Sequence, residues 1–217
     1  RMRLDSSGRL GLGTSSPEAN MHIQNGSAGT ITTSNSQLLI ENNTTSRLTL
    51  LTPNVSGATI EFGDPDDQDA GRINYDHSGD FMRFYTAGSE ALRIDSSGRL
   101  GLGETGMSSY DGDADDLVIK TGGNTGITLR TSSTGTGSIY FADGTSGTER
   151  YQGTIRYRHN NNAMTFGTSA AEQMRLDSSG RLGLGTSSPQ NNLHVNASTG
   201  GGVTLEANAN VDIDFRY

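Results

Sequence analysis

The chain contains no cysteine and no tryptophan, and its only lysine is Lys120. Without cysteine, disulfides play no part and the redox compartment leaves no trace. The other fifteen basic residues are arginines scattered along the chain, and with 24 Asp and Glu the net charge is −8. An acidic chain with no Lys/Arg cluster argues against nucleic-acid binding. No apolar run approaches the roughly 20 residues of a membrane-spanning helix, so no membrane insertion is expected. The opening Arg1-Met2-Arg3 has no signal-peptide character and no initiator methionine, which leads to the expectation of a fragment.

Large apolar residues are scarce as well. Leu, Ile, Val and Phe together supply 40 of the 217 residues, while glycine alone supplies 30. A share below roughly 20 % accompanies disorder when net charge is also high. Here the charge half of that signature is missing. A lone chain of this composition has little apolar surface to set against its conformational entropy. Either it is disordered, or it borrows a core from copies of itself.

Repeats favour borrowing. MRLDSSGRLGLG at residues 2–13 returns as LRIDSSGRLGLG at 92–103 and as MRLDSSGRLGLG at 174–185, spacings of 90 and 82. TIEFG at 59–63 matches SIYFA at 138–142, and GRINYDH at 71–77 matches GTIRYRH at 153–159. Leu48-Thr49-Leu50, Ile127-Thr128-Leu129 and Val203-Thr204-Leu205 form a further matched set. GTSSP follows the first and third copies and leads to Met21-His22-Ile23 or Leu193-His194-Val195; the second copy reaches Leu117-Val118-Ile119 through an acidic insertion. The chain thus divides into the end of a preceding repeat (1–13), a first unit (14–103), a second (104–185) and the start of a third (186–217). Such a division is expected of a window on a longer array, in which each unit contacts its neighbours.

Within a unit the apolar residues alternate, the signature of strands. Leu4 and Leu10, Ile94 and Leu100, and Leu176 and Leu182 flank DSSG in the three copies. Asp5, Asp95 and Asp177 suit the first position of a type I turn, and Gly8, Gly98 and Gly180 the left-handed residue after it, so each copy predicts a β-hairpin. Leu10/Leu12, Leu100/Leu102 and Leu182/Leu184 then share a face opposite Gly11/Gly13, Gly101/Gly103 and Gly183/Gly185. A face without side chains admits another backbone, and packing between chains or sheets is expected there. Further strands are predicted over 37–40, 47–51, 59–62, 72–75 and 81–85 and their partners in the next unit, with no convincing helix; residues 90–92 and 170–173 could make at most one turn.

The run GRINYDHSGDFMRFYTAGSEALRIDSSGRLGLG at 71–103, with GTSSPQNNLHV at 185–195, resembles the repetitive shafts of tailed-bacteriophage tail fibres. Members of that family often carry a C-terminal self-cleaving chaperone of the endosialidase type, whose residues have no counterpart here. The resemblance implies a homotrimeric fibre on a virion, outside the cell, joined to other tail proteins. Its distal tip would meet a host-surface glycan or protein. The fold expected is all-β, an elongated homotrimer of short-strand units in a β-prism, a β-sandwich-like arrangement or a triple β-helix.

Other sites find weaker support. Asp64, Asp66, Asp67 and Asp69 form one acidic cluster, and Asp111, Asp113, Asp115 and Asp116 another. Calcium favours several carboxylates on one loop, but neither cluster has the EF-hand spacing, and solvated turns are the competing reading. His22 and His194 face away from their apolar neighbours; in a trimer, equivalent histidines meeting on the axis are a second candidate for a metal or anion site. There is no GxSxG, HExxH or P-loop, so neither catalysis nor a cofactor is expected. The function expected is a structural and adhesive fibre-shaft segment. The alternatives are a bacterial surface adhesin of similar repeats or, less favoured, a polysaccharide depolymerase.

Overall fold

The computed structural model describes residues 2–29 and 36–197. It is all-β, with 40 % strand and 4 % helix, in three mixed sheets and no closed barrel among the described residues. The first sheet holds β1 (Met2–Leu4), β2 (Leu10–Leu12), β3 (Met21–Asn25) and β4 (Leu38–Asn42). The second holds β5 (Gly57–Phe62), β6 (Gly71–Asp76), β7 (Phe81–Thr86), β8 (Ser89–Ile94), β9 (Leu100–Leu102) and β10 (Leu117–Ile119). The third holds β11 (Thr136–Phe141), β12 (Gly153–Arg158), β13 (Ala163–Thr168), β14 (Ala171–Leu176), β15 (Leu182–Leu184) and β16 (Leu193–Val195). In every sheet the spatial order of strands is their order in sequence. The chain forms two compact units, residues 1–125 with the first two sheets and 126–217 with the third.

The second and third sheets are one design built twice. In each, five strands run antiparallel and the sixth lies parallel to the fifth. Even a register shift recurs, between Phe84 and Tyr85 and again between Phe166 and Gly167. The first sheet repeats the last three strands of that design and adds β4 in parallel. Both six-stranded sheets straddle the boundaries counted from the hairpin sequence, because their last strand comes after the LGLG that closes each counted unit.

The DSSG turn forms in all three copies. Gly8, Gly98 and Gly180 take φ of +77°, +83° and +75°, and the N–H of each donates to the carbonyl of Asp5, Asp95 or Asp177 at 2.9–3.1 Å. The fifth residue matters as much. Asp5 Oδ1 accepts the backbone N–H groups of Ser7 and Arg9, both at 2.9 Å, while Oδ2 accepts Arg9 Nε at 2.9 Å. Arg99 and Arg181 grip Asp95 and Asp177 through Nε in the same way, each at 2.8 Å. One carboxylate thus satisfies the turn's free amides and fixes the strand that leaves it.

The glycine face is covered from within the chain. A parallel neighbour requires a crossover connection, and here it is a loop laid directly on the middle strand of each motif. A Cβ on Gly11 would lie 2.6 Å from the Thr14 carbonyl oxygen, and one on Gly183 2.6 Å from that of Thr186. On Gly101 it would run into the Glu104 carbonyl and lie 2.7 Å from Met107 Sδ. Close backbone approach is therefore real. Its partner, however, is the chain's own crossover, not the second chain or sheet expected for Gly11, Gly101 and Gly183. Gly13, Gly103 and Gly185 turn the chain at φ of +87°, +69° and +70°, with the carbonyls of Gln24, Lys120 and Asn196 where a Cβ would be. The crossovers and the strand beside them hold most of the buried apolar residues among those described, Pro17 and Ala19, Met107 and Val118, and Pro189.

Two local expectations fail. Residues 47–51 and 127–129 form no strands, and Leu48, Leu51 and Ile127 are 63 %, 88 % and 70 % exposed; their alternation finds no partner strand among the described residues. The matched block at 203–205 lies outside the described residues. Of residues 90–92 and 170–173, expected to make at most a helical turn, 90–92 and 171–173 belong to β8 and β14. Short 3-10 helices occur instead at Met107–Ser109 and Gly147–Tyr151.

Gly101→Ala and Gly183→Ala should each lower stability by about 1–3 kcal/mol, the usual cost of overpacking. Ser97→Ala, on the exposed turn, should stay within about 0.5 kcal/mol of the parent. Equal denaturation midpoints for the three variants would show that the crossover does not press on the strand.

Candidate functional site

Pairing places apolar side chains in two rows along one side of each six-stranded sheet. In the third sheet one row is Ile139, Ile155, Phe166, Met174, Leu184 and Val195, and the other runs from Tyr157 through Met164, Leu176 and Leu182 to Leu193. In the second sheet the rows are Ile60, Ile73, Phe84, Leu92, Leu102 and Ile119, and Ala58, Tyr75, Met82, Ile94, Leu100 and Leu117. The first sheet continues the theme with Met2, Leu12, Ile23 and Ile40 beside Leu4, Leu10, Met21 and Leu38.

These rows are open. Ile139 is 50 % exposed, Leu193 56 %, Leu117 52 % and Leu4 71 %. No side chain in any of the rows is fully buried. The leucines of the repeat hairpins, Leu4/Leu10/Leu12, Leu100/Leu102 with Ile94, and Leu176/Leu182/Leu184, all stand on this side. Contiguous apolar surface on this scale marks an interaction site.

The opposite side of the second sheet is laced with ion pairs. Arg72 meets Asp69 at 2.8 Å, Arg83 meets Asp76 at 2.5 Å, and Arg93 makes a two-pronged contact with Glu90 at 2.7 and 2.9 Å. In the third sheet Arg175 makes the same fork to Glu172, at 2.7 and 2.8 Å.

His22 is not placed as the axial-metal expectation requires. His22 is buried beneath its crossover; Nδ1 accepts the Glu18 N–H at 3.3 Å, which leaves Nε2 as the donor to Glu41 at 2.9 Å. Glu41 also accepts from Gln24 Nε2 and the Ala28 N–H. The Ala28 N–H, then His22 and Gln24, hold the Glu41 carboxyl below its ordinary range against the effect of burial. With both ring nitrogens and the carboxylate engaged, His22 has no free ligand atom. A polar cleft of about 370 Å³, lined by residues such as Thr14, Ser16, Gln24 and Ser27, opens beside this pair. His194 repeats the first contact, accepting the Gln190 N–H at 3.3 Å. Val118 holds the equivalent place in the second sheet, and Met107 lies over its glycine.

The acidic clusters are turns. Asp64 Oδ1 accepts the N–H groups of Asp66 and Asp67 at 2.9 and 3.0 Å, and Asp111 Oδ1 that of Asp113 at 3.0 Å. Asp115 is buried and pairs with Arg99 at 2.7 Å, while Asp113 and Asp116 are exposed. No three His, Cys, Asp or Glu side chains among the described residues are grouped to hold a metal ion. No helix among those residues is long and apolar enough to cross a membrane.

Glu104 is the anchor that sequence reasoning missed. It accepts from Lys120 Nζ at 2.9 Å, Tyr110 Oη at 2.8 Å and the N–H groups of Thr105 and Gly106 at 2.7 and 2.8 Å. It pins the long crossover to the end of β10. No protein-family model and no curated protein matches the chain.

The ammonium of Lys120, with the two amides and the tyrosine hydroxyl, holds the Glu104 carboxyl down at about 2. A carboxyl depressed in the folded state contributes stability above its unfolded value, and loses it as pH falls toward the folded one. The contribution should be complete above about pH 4.5 and disappear between there and about pH 2. Glu104→Gln should therefore lower the melting temperature at pH 6 and shrink the further loss on acidification to pH 3. Parallel melting curves for variant and parent across that range would remove Glu104 from the acid response.

Proposed function

We propose that the chain is a shaft segment of a homotrimeric, adhesive fibre of the bacteriophage tail type, which holds a recognition tip away from a virion. The observation that carries this reading is the apolar side of the repeated sheet, two rows of large side chains that recur in each unit and are covered by nothing among the described residues. Fully burying one Leu, Ile or Phe side chain contributes roughly 1.5–3 kcal/mol. Each sheet thus leaves many times that sum unrealised in a lone chain. A second and third copy offering the same rows are the simplest cover, because identical stripes match one another at every level of a repeat.

The reading also agrees with the sequence resemblance and with side chains spent on turns and crossovers. Tail-protein partners, a host-surface ligand at a distal tip and an extracellular place on the virion follow from the same reading.

Light scattering on the purified chain should return three times its mass, with cross-links between copies. Ile60→Lys with Ile139→Lys, which puts charge in the apolar row of both six-stranded sheets, should lower the mass to that of one chain or leave it aggregated. A parent chain that is folded, stable and monomeric would end this proposal.

A further inference from the structure

The apolar rows of the two six-stranded sheets are nearly the same residue for residue, yet their polar sides differ in charge. On the second sheet, Arg72, Arg83 and Arg93 face Glu61, Asp69, Asp76 and Glu90, three positive charges against four negative. The matching places on the third sheet are Thr154, Thr165 and Arg175 facing Tyr140, Tyr151, Arg158 and Glu172, and the place of Asn74 is taken by Arg156. Three arginines there stand against one carboxylate. The same eight positions carry a net −1 on one sheet and +2 on the other. The adjoining Glu149 and Arg150 cancel each other.

The surplus is localised. Arg175 is matched by Glu172, which lies 3.8 Å from Arg158. Arg156 meets no carboxylate among the described residues, and neither its Nε nor that of Arg158 has a hydrogen-bond partner. The Arg156 guanidinium sits 5.0 Å from the Tyr140 ring centre and 5.9 Å from that of Tyr151, with the rings 6.3 Å apart. Tyr140 is half exposed.

We propose that this side of the third sheet binds an acidic polysaccharide, with Arg156 and Arg158 taking sugar carboxylates and Tyr140 and Tyr151 packing on the sugar rings. Charge complementarity supplies the attraction in a chain whose net charge of −8 would otherwise repel polyanions. A guanidinium fork matches a carboxylate in two bonds, and an exposed tyrosine face offers apolar area to a pyranose ring. The arginines stand on β12, whose backbone is paired with β11 and β13. An acidic peptide therefore finds no free ladder there to extend as an added strand. The site belongs to the repeat itself and does not depend on a distal tip or on the number of copies.

The test is calorimetric titration of the whole chain with oligogalacturonate, with neutral dextran and poly-glutamate in parallel and mass by light scattering throughout. Oligogalacturonate should bind, more weakly at higher salt. Arg156→Gln and, separately, Tyr140→Ala should each weaken it at least about 10-fold, a change of about 1.4 kcal/mol. Arg83→Gln, on the second sheet, should not. Absence of binding, equal binding of dextran or poly-glutamate, or equal loss in Arg83→Gln would each overturn the proposal. A monomeric mass with the binding intact would overturn the fibre reading alone.

Discussion

A single sheet has two sides, and this chain has enough bulk for only one of them. Everything else follows from how that shortage is handled. The polar side is closed by thrift: glycine in the middle strand, a crossover loop resting on it, and one or two small buried side chains between them. Arginine and carboxylate pairs cover the remainder of the second sheet. Among the described residues the apolar side is left uncovered, so the folding of these sheets alone leaves part of their hydrophobic gain unrealised.

The hairpins were legible because every determinant is local. Asp, two serines and Gly specify the turn through backbone conformation alone, and alternation fixes which leucines share a side. What lay beyond reach were relations set by the crossover. Nothing in Leu117-Val118-Ile119 announces a parallel partner seventeen residues earlier, and nothing in Glu104 announces Lys120 and Tyr110. His22 alternates with Met21 and Ile23 in a way that suits either an exposed ligand or a satisfied buried ring. Only the position of β4, which brings Glu41 to it, decides between them. At 47–51 and 127–129 alternation misled, since period two describes side-chain facing but supplies no hydrogen-bonding neighbour.

Comparing the two six-stranded sheets separates what the design requires from what it tolerates. Ile, Ile and Phe recur in the leading apolar row, and the Glu–Arg fork of Glu90 and Arg93 returns as Glu172 and Arg175. The Arg83–Asp76 pair, by contrast, becomes Thr165 and Arg158 with no change in pairing register. A buttressed polar side can thus change its electrostatics unit by unit, while the apolar side remains tied to a constant outline.

The strand order has a bearing on how such a chain is made. Because within each sheet every strand after the first lies beside the one synthesised just before it, no gap is held open there for a distant segment and no strand must be threaded between two already placed. Closing short loops costs little entropy, and topologies dominated by near neighbours form quickly. A sheet of this kind can be laid down strand by strand as the chain leaves the ribosome. Its exposed edge at any moment is the one the next few residues will cover.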